Sequence, residues 1–266
     1  MTEERDPSER SAESARPFVG LTQRDIWFGS MEHTPGVFAR FLGRLFLSLF
    51  QQRIVGVKGL EHVSGDKDPF ILALNHNSRL EAILIPTLLI HHRKGRLIRF
   101  LGDWNFFLIP FIASYYRKSR VIIVTRKDAR PKFLNRLKPL FEQELPVLTR
   151  ARLALEAGDS VGIFPEGRMN RNPSHLLRGS PGAARLSLES GKPIVPVGIR
   201  FPDHDPEKPI GDLEPMTFEI GAPLAPPMNT GGERAPAAAV RAWHDRLMSE
   251  LARLSGKQWP PPLGGS

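Results

Sequence analysis

FILALNHNSRLEAILI, residues 70–85, changes hydrophobic character at its midpoint. Phe70, Ile71, Leu72, Ala73 and Leu74 form a short continuous apolar run, the pattern of a strand buried on both faces. Beyond Ser78, the run Ala82, Ile83, Leu84, Ile85 reads as an apolar helix. His76 stands at the mouth of that helix, and Glu81 follows it five residues later. A carboxylate at that distance can reach back to the imidazole, hold one ring nitrogen as a donor and leave the other as a base for a hydroxyl proton. The same letters also spell S-x-x-E from Ser78 to Glu81, a capping box that satisfies orphan amides at a helix start. Taken alone, the pair supports either role.

Working outward, Val55 to His62, Val121 to Thr125, Val161 to Phe164, Ile194 to Ile199 and Thr217 to Ile220 are rich in β-branched residues and predict strands. Helical patterns fall between several of them. Arg150 to Ala157 is closed by Gly158, Pro181 to Ser190 by Gly191, and Ala235 to Leu254 by Gly256. The alternation predicts a single α/β domain: a central, mostly parallel or mixed sheet with helices on its faces, preceded by an N-terminal interfacial helix. A chain of 266 residues suffices for one such domain. The expected organisation is a disordered tail over residues 1–20, a membrane-associating helical segment over 21–55 and a catalytic domain over 56–225. A linker and C-terminal helix over 226–256 and a tail over 257–266 complete it.

Lys and Arg number 37 against 28 Asp and Glu, a net charge of +9 that favours acidic partners. No base-reading motif accompanies the charge, so nucleic acid is not an expected partner. The absence of Cys removes disulfides, thiolate nucleophiles and Cys-ligated metal sites. His91-His92 lacks partner ligands at a recognised spacing, so no metal is expected. No run reaches the roughly 18 to 20 apolar residues of a spanning helix. Val37 to Phe50 nevertheless sets Phe38, Phe41, Leu42, Leu45, Phe46, Leu49 and Phe50 at helical spacing, with Arg40 and Arg44 on another side. Trp104 to Tyr116 is a second apolar block, running into Arg117, Lys118 and Arg120. Both blocks suit an anionic headgroup layer, and both also suit helices of a protein core.

Phe164-Pro165-Glu166-Gly167-Arg168 directly follows a strand, where ligands of α/β sheets gather. Glu166 and Arg168 are expected to project from the strand end, with Gly167 allowing a tight turn. Arg171, Arg178 and the helix opening at Gly179-Ser180-Pro181-Gly182 complete a candidate phosphate cradle. Arg126 ends the strand Val121 to Thr125 at the same edge, where a guanidinium can hold phosphate oxygens bidentately. Gly158-Asp159-Ser160-Val161-Gly162 matches G-x-S-x-G, but a helix precedes Ser160 and a strand follows it, the reverse of a hydrolase nucleophile elbow.

The order of these motifs, N-H-x4-E, a strand ending in Arg126, F-P-E-G-R, and Ile194-Val195-Pro196-Val197 after G-A-A-R-L-S-L-E-S-G-K-P, resembles the lysophospholipid acyltransferases, or 1-acylglycerol-3-phosphate O-acyltransferases. The likeness covers roughly residues 37 to 225. It implies acyl transfer from a thioester, acyl-CoA or acyl carrier protein, to a free hydroxyl of a lysophospholipid, with no cofactor. By the resemblance His76 is the base and Glu81 orients it. Arg126 and Arg168 bind the acceptor phosphate, Glu166 and Gly167 shape the acceptor pocket, and Pro196 helps form the acyl side. The implied setting is the cytoplasmic face of an anionic membrane, held peripherally or monotopically. The chain departs from the family pattern in Glu81, where Asp is usual, and in Arg120 and Thr125, where the family has Gly and an acid. Arg168 follows Gly167 directly, as in some branches. Another acceptor, such as an amino-acid lipid or a glycolipid, and a catalytically silent lipid-binding homologue are the rival readings.

Overall fold

A computed structural model describes residues 21–34, 36–129 and 131–261. The expected tail over residues 1–20 lies outside the described residues. These residues form a seven-stranded mixed sheet in the order β1-β7-β6-β2-β5-β3-β4. Its strands are β1 (Ile54–Lys58), β2 (Ile71–Leu74), β3 (Ile98–Asp103), β4 (Ile122–Val124), β5 (Ser160–Ile163), β6 (Ile194–Arg200) and β7 (Met216–Ile220). From β6 to β4 every neighbouring pair is parallel, whereas β7 runs antiparallel to β6 and carries β1 along with it.

The helices are α1 (Gln23–Phe28), α2 (Val37–Phe50), α3 (Glu81–His92), α4 (Pro110–Lys118), α5 (Val147–Glu156), α6 (Gly182–Ser190) and α7 (Ala237–Ser255). Alternate residues of the buried strands feed two separate cores. Ile71, Ala73, Val161, Ile163 and Ile194 pack with α5, α6 and α7. Leu72, Leu74, Val195, Val197 and Ile199 pack with α1, α2 and α3 on the other face. Period-two alternation in the strands therefore sorts side chains between two helical layers, as in a doubly wound sheet.

Topology creates the site. The chain leaves β2 through α3 to reach β3 on one side, and leaves β5 through α6 to reach β6 on the other side of β2. Right-handed crossovers in opposite directions put α3 and α6 on opposite faces, which opens a crevice at the carboxyl ends of β2 and β5. His76 follows β2, and Phe164 to Arg168 follow β5.

Several local readings are corrected. The strand expected over Val55 to His62 stops at Lys58, and Leu60–Val63 is a 3-10 turn after the left-handed Gly59. The strand β3 was not foreseen: Arg96 and Arg99 interrupt its apolar run, although Ile98 and Phe100 alternate inward as a strand requires. The apolar block Trp104 to Tyr116 is not one helix, because Pro110 restarts it at the first position of α4 after a 3-10 turn over Trp104–Leu108. The C-terminal helix is integral to the domain, burying Val240, Leu247, Met248 and Leu251 in the first core. The tail expected over residues 257–266 is also corrected in its first part. Lys257 is 7% exposed, and Gln258 bridges to His175.

Candidate active site

The parallel ladder around β2 does not stop at its last strand residue. Asn75 extends it with a side-chain amide that donates to the carbonyl of Ile199 at 3.1 Å and accepts the Ile199 N–H at 2.7 Å. The next residue, His76, is thereby held at the sheet edge. Both of its backbone groups are tied to the loop after β5. Its N–H donates to Glu166 Oε1 at 3.0 Å, and its carbonyl accepts the Asn170 N–H at 2.7 Å.

The imidazole is fixed from two sides. Its Nδ1 lies 3.1 Å from Glu81 Oε1, and the ring stacks on Phe164 with centroids 4.5 Å apart. An ionised carboxylate only accepts, so Nδ1 carries the proton and Nε2 the lone pair. The His76 side chain keeps 20% of its exposure while Glu81 has none. A buried carboxylate needs donors, and Glu81 also takes the backbone N–H of Asn77 and, at 3.2 Å, the Asn77 side-chain amide. Glu81 Oε1 lies against the His76 ring, and its own N–H meets Ser78 Oγ at 3.4 Å, but Leu80, not Ser78, is the N-cap of α3, so the expected capping box does not form. Glu81 opens α3, not one turn in.

Glu166 is corrected. It was expected to project from the strand end, but it is 4% exposed and turns inward. Its carboxylate accepts from the His76 N–H, from Asn170 Nδ2 at 2.7 Å and from the Leu177 N–H at 2.9 Å. Burial pushes its pKa up, against the pull of these three donors. Glu166 thus shapes the site through the backbone it holds. Gly167 permits this inward turn with φ of 70°, in the left-handed region. Arg168, directly after it, is exposed at the rim.

The other expected residues are spread along the same edge. Arg126 is exposed just beyond β4, which lies three strands from β2, roughly 14 Å at about 4.8 Å per strand. Pro196 is buried in β6 opposite Ala73, with its ring beside Gly221 and close to Leu254 of α7. It therefore lies against the α7 layer, away from the His76 ring. Arg171 leaves the expected cradle, because Asp212 at 2.7 Å and the Ile210 carbonyl take its guanidinium. Arg178 stays exposed. The G-x-S-x-G match dissolves into three structural roles. Gly158 turns the chain after α5, and Ser160 is fully buried between Asp68 and the Phe70 N–H. Gly162 leaves room for the Phe100 ring, which a Cβ would meet at 2.5 Å. Phe100 in turn backs Phe164 under His76, with ring centroids 5.8 Å apart.

Sequence reasoning missed Asn77, Asn170 and Phe164 as parts of the site. Asn77 carried a signal, since it sits between the histidine and the carboxylate. Asn170 gave none, because its partners come from distant segments.

A model of the acyltransferase family matches residues 54–200, the span from β1 through β6 that contains His76, Glu81, Arg126, Glu166, Arg168 and Pro196. The chain belongs to the acyltransferase family. No curated protein matches it at a significant level. Among solved structures, this acyltransferase is similar to the 1-acyl-sn-glycerophosphate (LPA) acyltransferase PlsC from Thermotoga maritima. The TM-score is 0.53 at 17% identity, over 91% of this chain and 94% of that one. At that identity the likeness is one of fold. No described helix of the acyltransferase is long and apolar enough to cross a membrane.

Proposed function

We propose that this acyltransferase moves an acyl chain from a thioester, acyl-CoA or acyl carrier protein, to the free hydroxyl of a lysophospholipid, with lysophosphatidic acid as the first candidate. The observation that carries the reading is His76, its Nδ1 held by buried Glu81 and its ring partly open at the carboxyl edge of the sheet. In the proposed reaction His76 Nε2 takes the hydroxyl proton as the oxygen attacks the thioester carbonyl. The tetrahedral intermediate collapses with cleavage of the carbon–sulfur bond, and the imidazolium returns the proton to the departing thiolate. Glu81 stabilises that imidazolium without accepting its proton. No protein nucleophile is required, in keeping with a chain that lacks Cys and buries Ser160.

Arg168 and Arg126, both exposed at this edge, are the proposed partners of the acceptor phosphate. Pro196 is proposed to act on the acyl side only through the packing of β6. Lysophosphatidic acid is favoured by this cationic rim and by the likeness to the LPA acyltransferase of Thermotoga maritima.

The proposed setting is the surface of an anionic membrane, on its cytoplasmic face. On α2, Ala39, Gly43 and Leu47 face inward at four-residue spacing, leaving Val37, Phe38, Phe41 and Leu49 exposed. A further exposed set lies on the 3-10 segment Lys132–Phe141, where Phe133 and Leu140 are 63% and 75% exposed among Lys132, Arg136 and Lys138. Phe141 anchors that segment to Trp104 and Phe107. Apolar tips among cations match the boundary of an anionic bilayer.

Purified protein given one labelled acyl-CoA and a panel of lysolipids and amino-acid lipids, with products read by mass, tests the acceptor. Phosphatidic acid is the expected main product, and preference for an acceptor without phosphate would contradict the proposal. In the same assay Arg168→Ala should raise the acceptor KM about tenfold or more with kcat nearly unchanged, as expected when a phosphate contact is lost.

A further inference from the structure

Among the described residues Lys257 is the one buried lysine, at 7% exposure, although it lies beyond the last helix. Its delivery is local and specific. Gly256 ends α7 in the left-handed conformation with φ of 71°, and the Lys257 N–H returns to the Ala252 carbonyl at 3.1 Å. That helix-stop geometry reverses the chain. Gln258 then pairs with the loop after β5, its N–H to the Ser174 carbonyl at 2.8 Å and its carbonyl to the Leu176 N–H at 3.1 Å. The Lys257 side chain is left pointing under the catalytic loop.

There its ammonium donates to Asn77 Oδ1 and, at 2.6 Å, to the carbonyl of Asn172. Asn77 Nδ2 donates onward to Glu81 Oε2 at 3.2 Å, and Glu81 Oε1 meets His76 Nδ1 at 3.1 Å. A continuous chain thus links Lys257 to the imidazole. Its polarity is forced at both ends, because an ammonium can only donate and a carboxylate can only accept. The Asn77 amide between them has one permitted orientation. Without the ammonium the Asn77 oxygen loses this donor, and the amide is held from the Glu81 side alone. Burial pulls the Lys257 pKa below the ordinary lysine value, and the nearby Glu166 and Glu81 carboxylates oppose that pull only in part.

We propose that Lys257 is a positioning residue for acyl transfer, holding Asn77 so that the Glu81 carboxylate stays aimed at His76 Nδ1. The inference rests on His76 as the base. It is tested with the full chain, palmitoyl-CoA and lysophosphatidic acid, using Lys257→Met, Asn77→Ala, their double variant and Lys257→Arg, each assayed well below its melting temperature. Lys257→Met should lower kcat about 10- to 100-fold, the range for residues that orient a functional group, while both KM values stay within about twofold. The double variant should be no slower than the worse single variant, since both break the same chain. Lys257→Arg, which keeps charge and donors, should retain more turnover than Lys257→Met.

Wild-type kcat in Lys257→Met, or a double variant whose loss is the product of the two single losses, overturns the proposal. Should the Met variant lose its cooperative melt, Lys257→Gln replaces it, and either wild-type turnover or failure to fold in that variant also overturns the positioning role. His76→Ala in the same assay separates the two ideas. Full turnover in His76→Ala removes the base itself, whereas a nearly inactive His76→Ala beside a fully active Lys257→Met removes only the role of Lys257.

Discussion

Around His76, two carboxylates of similar burial do different work. Glu81 is five residues away in the chain, so its contact with the ring at 3.1 Å was legible from spacing alone. Glu166 was misread, because its partners are the His76 N–H, Asn170 and the Leu177 N–H, which only the folded loop brings together. Lys257 was equally illegible, since its meeting with Asn77 spans 180 residues. Burial raises the Glu166 pKa, so the folded state binds a proton that the unfolded state has already released. Stability contributed by the protonated form is therefore lost as pH rises from about 4.3, the ordinary glutamate value, towards the folded value. Chemical denaturation of wild type and Glu166→Gln across that range should show wild type losing stability relative to the variant as pH rises. A difference that is flat, or that grows in favour of wild type, contradicts the assignment.

At the scale of elements, long periodic stretches were readable and interrupted ones were not. Four of the five strands expected beyond β2 matched closely, whereas β3 was hidden by the arginines within its apolar run. Apolar periodicity located α2 but could not tell a core helix from an interfacial one, because that depends on which face finds a partner. The structure divides the helix, with Leu47 fully buried and Phe38 and Phe41 at 50% and 45% exposed. Burying the exposed half of each ring contributes about 1 kcal/mol, so losing both should weaken membrane binding about 10- to 30-fold. Flotation with phosphatidylglycerol-rich vesicles should show that loss in Phe38→Asp/Phe41→Asp, with the melting temperature nearly unchanged. Undiminished flotation would contradict a docking role for α2.

For the whole molecule, the alternation of strands and helices predicted a single α/β domain, and the mixed seven-stranded sheet agrees. The strand order itself was not legible, because insertion of β5 between β2 and β3 is a tertiary choice. That insertion makes the crevice, and α7 closes the opposite layer against β6. Leu247, fully buried in that layer, should cost about 2 to 5 kcal/mol when changed to Ala, measured by denaturant unfolding. A loss under about 0.5 kcal/mol, typical of surface positions, would make α7 an appendage and not part of the core.

The most direct measurement is the initial rate of acyl transfer from palmitoyl-CoA to lysophosphatidic acid by His76→Ala, beside its melting curve and vesicle binding. The expected result is a rate lower by about 10²- to 10⁴-fold, the range supplied by a general base, in a protein that melts and binds vesicles like wild type. A folded, vesicle-bound variant turning over within about threefold of wild type, far inside that range, would contradict the role of His76.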